Sequence, residues 1–242
     1  MDRLQVSWLQ DVEHNIVGRK LLRDGQKILA AVSGGMDSMA LLHALHALAE
    51  DHQWELTIAH FNHQLRGRAA TRDERLVRET ARTLNLRFVA GRANVRSEAA
   101  RAKVSLEMAG RALRHAFLAK AARARGIPVV ALAHHADDQV ELFFLRLLRG
   151  AGGQGLGGMK WINRSPADAS ILLVRPLLDQ TKSALREVVR AFGIQFSEDT
   201  TNAQTEMERN RIRHVLIPML QKYCPALTET VPRLMDLAGA DA

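Results

Sequence analysis

Cysteine is almost absent from this sequence, since Cys224 is the only one among 242 residues. One thiol excludes an intrachain disulfide, and it also excludes a zinc or iron–sulfur site built from several cysteines. Such cysteine usage is typical of proteins from a reducing compartment, so we expect a cytoplasmic location.

Long apolar runs are missing as well. No stretch approaches the roughly 20 apolar residues that a membrane-spanning helix needs. The N-terminal sequence MDRLQVSWLQDVEHN carries charges every few positions and lacks the apolar core of a signal peptide. We therefore expect a soluble protein with no membrane partner.

Acidic residues are in deficit, because 26 Asp and Glu stand against 34 Lys and Arg and leave a formal net charge of +8. This balance favours a partner with many negative charges, such as a nucleic acid or a nucleotide. Of the basic residues, 27 are arginine, whose planar fork suits bidentate contact with phosphate. A genome rich in arginine codons would produce the same excess, and charge alone leaves both interpretations open.

The hydrophobic residues, 47% of the chain, form short apolar runs that alternate with longer segments of helical period. This alternation is typical of parallel βαβ units. It predicts a three-layer α/β fold, in which helices cover both faces of a mainly parallel sheet. The predicted strands are residues 27–32, 54–60, 86–89, 127–133 and 171–174.

Helices are predicted before, between and after these strands, at residues 6–17, 38–50, 69–84, 97–125, 137–149, 181–192 and about 205–221. The stretch 150–158 holds six glycines in nine residues and is expected to be a mobile loop. A second loop is predicted at 163–170 and a turn at 197–202. We expect Pro225 and Pro232 to break up the tail.

A possible phosphate-binding loop follows the first predicted strand directly. It reads Ser33-Gly34-Gly35-Met36-Asp37-Ser38 and precedes a helix. The helix N-terminus presents free N–H groups there, and the glycines let phosphate oxygens approach the backbone. The segment matches neither GxxxxGK[ST] nor GxGxxG. The alternative is an ordinary tight turn in which Asp37 or Ser38 caps the helix.

Three acidic residues, Asp137, Asp138 and Glu141, follow the fourth predicted strand. They lie at the carboxyl edge of the sheet, where open α/β folds bind ligands, and are expected to face the same crevice as the glycine segment. Asp138 and Glu141 are three residues apart, so they share one side of the first helical turn and can hold an ammonium group or Mg²⁺. The alternative is that these residues only cap the helix.

Other polar residues admit two interpretations each. Glu107 and Arg111 have i,i+4 spacing and form either a surface ion pair or part of a site. Four histidines at two strand ends suggest either zinc ligands or neutral groups that bind phosphate or remove a proton. These are His60, His63, His134 and His135.

Two basic groups are candidates for RNA backbone contact, or else form a solvated basic face. The first flanks the glycine-rich loop and comprises Arg146, Arg149 and Lys160. The second is the cluster Arg209, Arg211 and Arg213.

The segment AVSGGMDSMALL resembles the SGGxDS loop of the N-type ATP pyrophosphatases. Later segments are similar, in order, to those of the tRNA(Ile)-lysidine synthetases, and the likeness extends over about residues 25–220. The segments are His60–Arg66 (HFNHQLR), Ser105–Arg111 with Arg114, His134–Glu141, Leu147–Gly150, Gly155–Met159, Arg175–Leu178, Glu198-Asp199 with Asn202, and Arg209–His214.

The resemblance implies an adenine nucleotide alpha hydrolase-like fold and a two-step ligase reaction that uses ATP and Mg²⁺. In this reaction, ATP adenylates the wobble cytidine of an isoleucine tRNA with a CAU anticodon and pyrophosphate leaves. Free L-lysine then displaces AMP and forms lysidine. The implied organisation is a PP-loop catalytic domain over residues 1–215 and a helical extension or linker stub over 216–242.

Together with the patterns above, the resemblance gives the expected site residues. The expected ATP-binding residues are Ser33, Gly34, Gly35, Met36, Asp37, Ser38, His60 and Asn62. Asp37 is also expected to position Mg²⁺, which binds through the pyrophosphate of ATP. Catalysis is assigned to Asp37, Asp138, Glu141 and Arg111. Lysine-binding candidates are Glu107, His134, Asp137, Asp138 and Glu141, and tRNA-binding candidates are Arg146, Arg149, Lys160, Arg209, Arg211 and Arg213.

Other functions remain open at this point. A tRNA-thiolating enzyme of this superfamily depends on paired cysteines, and a lone Cys224 argues against it. A glutamine-dependent synthetase needs an amidotransferase partner, and an ammonia-using NAD synthetase is a weak alternative. Three departures from the family pattern give some weight to a non-catalytic RNA-binding relative, but none removes the phosphate loop or the carboxylates, so a catalytic role is favoured. The departures are Gly110 in place of alanine, His115 in place of tyrosine and Leu142 in place of threonine.

Many family members continue into C-terminal domains that help to grip the tRNA, whereas this sequence ends at Ala242. Without such domains we expect tRNA affinity to be lower and more sensitive to salt, because phosphate contacts then dominate. The sequence predicts no oligomeric state.

Overall fold

A six-stranded sheet forms the centre of the computed structural model, which describes residues 3–198 and 208–240. The strand order is β3-β2-β1-β4-β6-β5. Every neighbouring pair is parallel except β5 and β6, which are antiparallel. The strands are β1 (Lys27–Ala31), β2 (Glu55–Asn62), β3 (Arg87–Arg92), β4 (Val129–Ala131), β5 (Ile162–Ser165) and β6 (Asp168–Val174).

Helices cover both faces of this sheet, which confirms the predicted three-layer α/β fold. Ile28 and Ala30 of β1 face one apolar core, while Leu29 between them faces the other, as strand alternation requires. The helices are α1 (Arg3–Gly18), α2 (Met36–Leu48), α3 (Arg68–Thr83), α4 (Val95–Ala102), α5 (Leu106–Arg123), α6 (Ala136–Leu148), α7 (Lys182–Ala191), α8 (Glu208–Arg211), α9 (Ile217–Gln221) and α10 (Leu227–Ala240), with a 3₁₀ turn at Gly153–Leu156 and a π-helical turn at Ile212–Leu216.

The single long helix predicted over 97–125 is wrong, because two helices occupy this segment. Lys103 has a φ of +53° and ends α4 in the left-handed conformation. Ser105 then starts α5, and its side chain accepts a hydrogen bond from the backbone N–H of Met108 at 3.2 Å. A left-handed residue followed by a serine N-cap therefore divides a segment whose apolar spacing is continuous.

The loop predicted over 163–170 is also wrong, since most of it belongs to an antiparallel hairpin of β5 and β6. Strand β5 reads INRS, and only Ser165 in it is buried. It lies at the edge of the sheet, where a strand pairs on one side only and needs no run of apolar residues. Hydropathy alone therefore could not identify it.

The tail forms a regular helix, α10, with Pro232 inside it, so the prediction that Pro232 breaks the tail is wrong. A proline within a helix costs roughly 3 kcal/mol. The buried side chains Leu227, Val231 and Met235 pack on α6, and each full burial contributes roughly 1.5–3 kcal/mol. Packing on α6 thus outweighs the loss at the proline.

The apolar cluster of α6 and α10 also contains Ile212 and Ile217, which lie on the two sides of the predicted boundary at 215/216. The division into two domains stays a prediction. The predicted turn at 197–202 and the start of the helix at 205 extend into residues 199–207, outside the described residues. No helix in the described ranges is long and apolar enough to cross a membrane.

His52 ties the N-terminal helix to the turn before β2. Its Nδ1 lies 2.7 Å from Asp24 Oδ1 and its Nε2 lies 2.9 Å from Glu13 Oε1. The ring stacks on Trp54 with centroids 4.5 Å apart. Burial alone would lower the pKa of His52, but hydrogen bonds and charge from Asp24 and Glu13 outweigh burial and raise it.

We expect His52→Gln to lower stability more at about pH 6 than at about pH 9. A histidine with a raised folded pKa contributes its full stabilisation below the unfolded value of about 6.5. It loses that contribution as pH rises through the folded value. Urea unfolding of both proteins at the two pH values measures the difference. An equal difference at both would show that the ring contributes through stacking alone.

Candidate functional site

The site occupies the carboxyl edge of the sheet, where β1, β2 and β4 end side by side. A cavity of about 550 Å³ opens there. The ends of these three strands and the segments that follow them line it with Ser33, Gly35, Asp37, Ser38, His60, Asn62 and His134. Parallel strands that end together bring residues distant in sequence to one crevice, as predicted.

The glycine segment after β1 forms a closed loop. Gly34 has a φ of +94°, and a Cβ atom there would lie 3.4 Å from Val77 of α3. Ser38 Oγ accepts from the Ser33 N–H at 3.1 Å and donates to the Gly35 carbonyl at 2.9 Å. Gly35 is the N-cap of α2, but no side chain caps the first turn. The N–H groups of that turn therefore remain suited to an anion.

Asp37 lies on the first turn of α2 and faces two cationic groups. Its Oδ2 is 3.4 Å from His135 Nε2 and 3.5 Å from Lys182 Nζ. Burial alone would raise the pKa of Asp37, but the hydrogen bond and charge of His135, together with Lys182, outweigh burial and lower it. Asp37 is therefore ionised near neutral pH.

His135 is almost fully buried, with 2% of its surface exposed, and three carboxylates surround it. Besides Asp37, its ring nitrogens lie 3.6 Å from Asp137 Oδ2 and 3.6 Å from Asp138 Oδ2. Burial opposes its charge, but Asp137, Asp37 and Asp138 outweigh burial and raise its pKa to about 10. A histidine that keeps its proton at neutral pH is a poor general base.

The residues present fit a magnesium ion bound mainly through phosphate oxygens. Asp37 Oδ1 is buried and has no hydrogen-bond partner. Mg²⁺ prefers oxygen ligands and is commonly held by one or two carboxylates together with substrate phosphates. Among the described residues, no group of three or more His, Cys, Asp or Glu side chains is arranged to hold a metal ion.

Two residues at the end of β2 line the cavity in different ways. His60 is buried, and its Nδ1–H donates to the Val32 carbonyl at 2.9 Å, which leaves Nε2 as the acceptor of the neutral ring. Asn62 holds the following loop, since its Oδ1 accepts from the Gln64 N–H at 3.0 Å. Its amide also donates to the Ala70 carbonyl at 3.3 Å. Asn62 thus supports the wall of the cavity.

Asp138 and Glu141 lie together on one side of α6, as their spacing predicts. Neither residue lines the cavity, but Asp138 lies 3.6 Å from His135, which in turn contacts Asp37. Asp138 also caps the helix, because its Oδ2 accepts from the His135 N–H at 3.1 Å. The capping alternative is therefore realised for Asp138. Glu141 is 2% exposed and takes no part in capping.

Arg209 and Arg213 reach these same carboxylates. Arg209 Nε lies 3.0 Å from Glu141 Oε2, and its Nη2 lies 3.4 Å from Asp138 Oδ1. Arg213 donates from Nε to Glu141 Oε1 and from Nη2 to Glu141 Oε2, the latter at 2.9 Å. The guanidinium groups of both residues are thus engaged within the chain, which the sequence pattern did not predict.

The other tRNA-binding candidates lie apart from this cluster. Arg211, between the two engaged arginines, is exposed. Arg146 donates to the Gly157 carbonyl and so anchors the glycine-rich loop. Arg149 and Lys160 are exposed at the two ends of that loop. An RNA role for this set stays a proposal.

The glycine-rich loop is anchored rather than free. Gln139 of α6 accepts from the Met159 N–H at 2.7 Å and donates to the Met159 carbonyl at 3.4 Å. A Cβ atom at Gly158 would lie 2.9 Å from Gln139 Nε2, so a larger residue there would displace the amide that holds the loop. A 3₁₀ turn at Gly153–Leu156 and contacts with α10 add to these restraints.

A second cavity of about 530 Å³ adjoins the first. His63, Leu65, Leu106, Arg114 and His134 line both. Glu107 and Arg111 line only the second cavity. Glu107 lies 3.5 Å from Arg209 Nη1, and no ion pair joins it to Arg111 in the described part of the chain. The alternative prediction that Glu107 and Arg111 form a surface ion pair is therefore wrong, because Glu107 pairs with Arg209 instead.

The three departures from the family pattern have separate surroundings. His115 is buried and lines the second cavity, and burial together with Arg114 and Arg111 lowers its pKa to about 4. A Cβ atom at Gly110 would lie 3.3 Å from His63 Nδ1, so the glycine leaves room for that ring. Leu142 packs against the apolar cluster of α6 and α10, away from the carboxylates.

Lys182 and Arg114 are site residues to which the sequence analysis gave no role. Lys182 belongs to α7, far along the chain, and its backbone N–H also donates to Asp137 Oδ2 at 2.8 Å. Arg114 follows Arg111 by three residues and therefore projects from the same side of α5. That spacing was a signal that could have identified Arg114, whereas no local pattern marks Lys182.

Comparison with known proteins places these features in a family. Residues 8–220 match the family model of the PP-loop domain. A tRNA(Ile)-lysidine synthase from Geobacter sulfurreducens is 42% identical over 91% of this chain and 46% of that protein. One from Petrotoga mobilis is 34% identical over 95% of this chain and 72% of that protein. The chain spans about half the length of most of the curated relatives it matches.

Solved structures show the same fold at low sequence identity. The U34-tRNA thiolase NcsA from Methanococcus maripaludis, determined with its [4Fe-4S] cluster, superposes with a TM-score of 0.79. It is 13% identical, and the match covers 97% of this chain and 80% of that one. The NH3-dependent NAD synthetase from Campylobacter jejuni has a TM-score of 0.53 at 13% identity, over 97% of this chain and 93% of that one.

Proposed function

Because this chain belongs to the PP-loop family and, within it, to the tRNA(Ile)-lysidine synthases, we propose that it carries the ligase chemistry of that enzyme. The substrates are ATP, free L-lysine and an isoleucine tRNA with a CAU anticodon, and Mg²⁺ is the metal. The products are lysidine at the wobble position, AMP and pyrophosphate. A cytoplasmic location is part of the same proposal.

The observation that carries this proposal is the contact of an anion-binding loop with a carboxylate cluster through the buried His135. The open N-terminus of α2 offers N–H groups to phosphate, and Asp37 on its first turn lies 3.4 Å from the buried His135. Asp138 and Glu141 lie on the neighbouring helix α6. The loop therefore suits a polyphosphate, and the carboxylate cluster beside it suits a cationic amine.

In the first step, O2 of the cytidine attacks the α-phosphorus of ATP, and the bond to pyrophosphate breaks. The loop from Ser33 to Ser38 holds the departing pyrophosphate. Asp37 would hold a Mg²⁺ ion, which would supply positive charge to offset that of the pyrophosphate. Arg114, which lines both cavities, faces the junction at which the α-phosphate and the cytidine meet. A guanidinium there stabilises the charge that develops on the phosphorus oxygens.

In the second step, the ε-amine of lysine attacks carbon two of the cytosine, and the bond to AMP breaks. Asp138, whose side chain is more exposed than that of Glu141, attracts the lysine ammonium, while Glu141 holds Arg209 and Arg213. The amine must lose a proton before it attacks. His135 is already protonated and contacts three carboxylates, so it cannot readily take up a second proton. A carboxylate is therefore the better acceptor for the proton that the lysine amine loses.

A second candidate function is thiolation of tRNA, because this chain has the same fold as the thiolase NcsA. This chain lacks the paired cysteines on which such thiolation depends. Cys224 is the only cysteine, and it packs against the apolar cluster of α6 and α10. A non-catalytic RNA-binding role is the other alternative. The intact loop and the buried carboxylates favour a catalytic role over that alternative.

The test is transfer of labelled lysine to an isoleucine tRNA transcript with a CAU anticodon, in the presence of ATP and Mg²⁺. We expect incorporation that requires ATP, and none into a transcript whose wobble base is uridine. Asp138→Asn should reduce incorporation by roughly 10- to 100-fold, because one charged contact to the lysine is lost.

Asp168→Asn is the matched control, since Asp168 pairs with Arg123 and lines neither cavity. It should incorporate lysine at the wild-type rate. Binding of the transcript by the wild-type protein without incorporation would instead support the RNA-binding alternative.

A further inference from the structure

The second cavity contains positive charge that the chain itself does not neutralise. Arg175 lies just after β6, is only 6% exposed and lines this cavity but not the first. No carboxylate in the described part of the chain lies within 4.0 Å of its guanidinium. A buried charge without a counter-charge is costly, so this position calls for an anion.

The hydrogen bonds of Arg175 orient it towards the cavity. Its Nη1 donates to the Lys160 carbonyl at 2.6 Å and to Asn163 Oδ1 at 2.6 Å. Its Nε donates to His134 Nδ1 at 3.2 Å. These three acceptors are uncharged, and within the described residues Nη2 has no partner. The guanidinium is thus held rigidly, with one nitrogen available to a ligand.

Two neighbouring groups add hydrogen-bond donors to the same cavity. Arg114 forms no ion pair or hydrogen bond in the described ranges, and its Nε is buried without a partner. His134 accepts from Arg175 at Nδ1, so its neutral ring carries its proton on Nε2. Burial and the nearby arginines Arg175 and Arg114 keep the pKa of His134 well below its usual range.

The charge balance of the lining excludes a cationic ligand. Arg111, Arg164, Arg114 and Arg175 face one carboxylate, Glu107, which is already paired with Arg209. The ammonium group of lysine would be repelled here and attracted to Asp138 instead. ATP is provided for by the loop of the first cavity, which Arg175 does not reach.

We propose that this second cavity, named here the guanidinium cavity, binds a phosphodiester of the RNA next to the nucleotide that is modified. The proposal rests on the proposed function, since that reaction brings an RNA nucleotide to the junction of the two cavities. A nucleotide that leaves its stack to enter an enzyme brings its flanking phosphates with it. Guanidinium forks match phosphate oxygens in geometry and charge. A volume of about 530 Å³ lies within the usual range for a ligand of this size.

The experiment measures RNA affinity as a function of salt for Arg175→Met and for a control, Arg87→Met. Arg87 is exposed on β3 and has no ion pair in the part of the chain that the structure describes. The probe is an anticodon stem-loop RNA with a CAU anticodon. Arg175→Met should weaken binding roughly tenfold and reduce the slope of log K against log salt by about 0.7, as for one lost single-strand phosphate contact. Arg87→Met should change neither, and the affinity for ATP should be the same in all three proteins.

A second arm does not depend on the folding of the variant. Single methylphosphonate groups replace, in turn, the phosphates of the anticodon loop, and the wild-type protein is titrated with each RNA. A methylphosphonate at one position beside the wobble nucleotide should weaken binding to the wild-type protein. Arg175→Met should bind this substituted RNA and the unmodified RNA with equal affinity, because the contact is already lost. The proposal is overturned if no neutralised phosphate affects wild-type binding.

Other sources of the anion give different results. Weaker ATP binding by Arg175→Met with unchanged RNA affinity would assign the cavity to a phosphate of ATP and overturn the proposal. A raised KM for lysine with an unchanged KM for cadaverine, which lacks the carboxylate, would assign it to the lysine carboxylate and also overturn it. Lysine transfer is measured in parallel. If RNA binding depends on Arg175 but no lysine is transferred, the guanidinium cavity remains an RNA-binding site and the proposed ligase reaction is wrong.

Discussion

Glu141→Gln is expected to destabilise the protein by about 2–3 kcal/mol and to reduce lysine incorporation roughly 10- to 100-fold. Glu141 is 2% exposed and neutralises both Arg209 and Arg213. Removing one partner of a fully buried ion pair costs about 3–5 kcal/mol. The arginine side chains retain 36% and 27% exposure, so water screens part of that cost. Without Glu141, Arg209 and Arg213 would pair more fully with Asp138 and so weaken its attraction for the substrate amine, which accounts for the fall in activity.

Urea unfolding and the labelled-lysine assay measure the two effects. The matched control is Glu79→Gln, which breaks an ion pair with Arg75 on the exposed face of α3. It should change stability by no more than about 0.5 kcal/mol, because surface pairs contribute little. If Glu141→Gln were as stable as Glu79→Gln, the two arginines would have to be neutralised by Asp138 alone.

Asp37→Asn is expected to reduce pyrophosphate release by roughly 100-fold or more while leaving RNA affinity unchanged. The substitution keeps the size of the side chain and removes its charge. Asp37 lies in the first turn of the helix that follows the glycine loop, and its Oδ1 has no protein partner. A lost metal-ligand charge acts on the transition state of phosphoryl displacement. The RNA contacts proposed above lie in the other cavity.

Pyrophosphate release in the presence of the CAU transcript, with and without lysine, isolates this first step. Asp51→Asn is the control, since Asp51 is exposed in the turn after α2 and is expected to behave as wild type. If Asp37→Asn released pyrophosphate at the wild-type rate, groups other than Asp37 would have to bind the metal. A parallel loss of RNA binding would show instead that Asp37 supports the whole crevice.

The local patterns of the sequence were sufficient for most elements of the core. Buried parallel strands are continuous apolar runs, and β1 and β2 were predicted within two residues of their observed bounds because such runs are unambiguous in length. The glycine loop and the acidic start of α6 were located by position, since ligands bind at the carboxyl edge of parallel strands. Elements without an apolar run, such as β5, gave no such signal.

Interactions between distant segments could not be predicted in this way. Arg209 and Arg213 were grouped with Arg211 as a basic cluster, but their i,i+4 spacing turns both towards α6 and leaves Arg211 exposed. The contact with Glu141 spans 68 and 72 residues. Whether a guanidinium binds RNA or a carboxylate of its own chain depends on which surface lies opposite, and charge alone does not determine this.

The sequence by itself determined the fold class, the phosphate loop and the acidic edge, because each follows from the order of residues within one βα unit. Only the tertiary structure decided the protonation of His135, the pairing of Glu141 and the unneutralised charge of Arg175. These properties depend on burial and on partners that other strands and helices supply. Electrostatic energy varies with distance and with exposure to water, and neither quantity is fixed until the chain has folded.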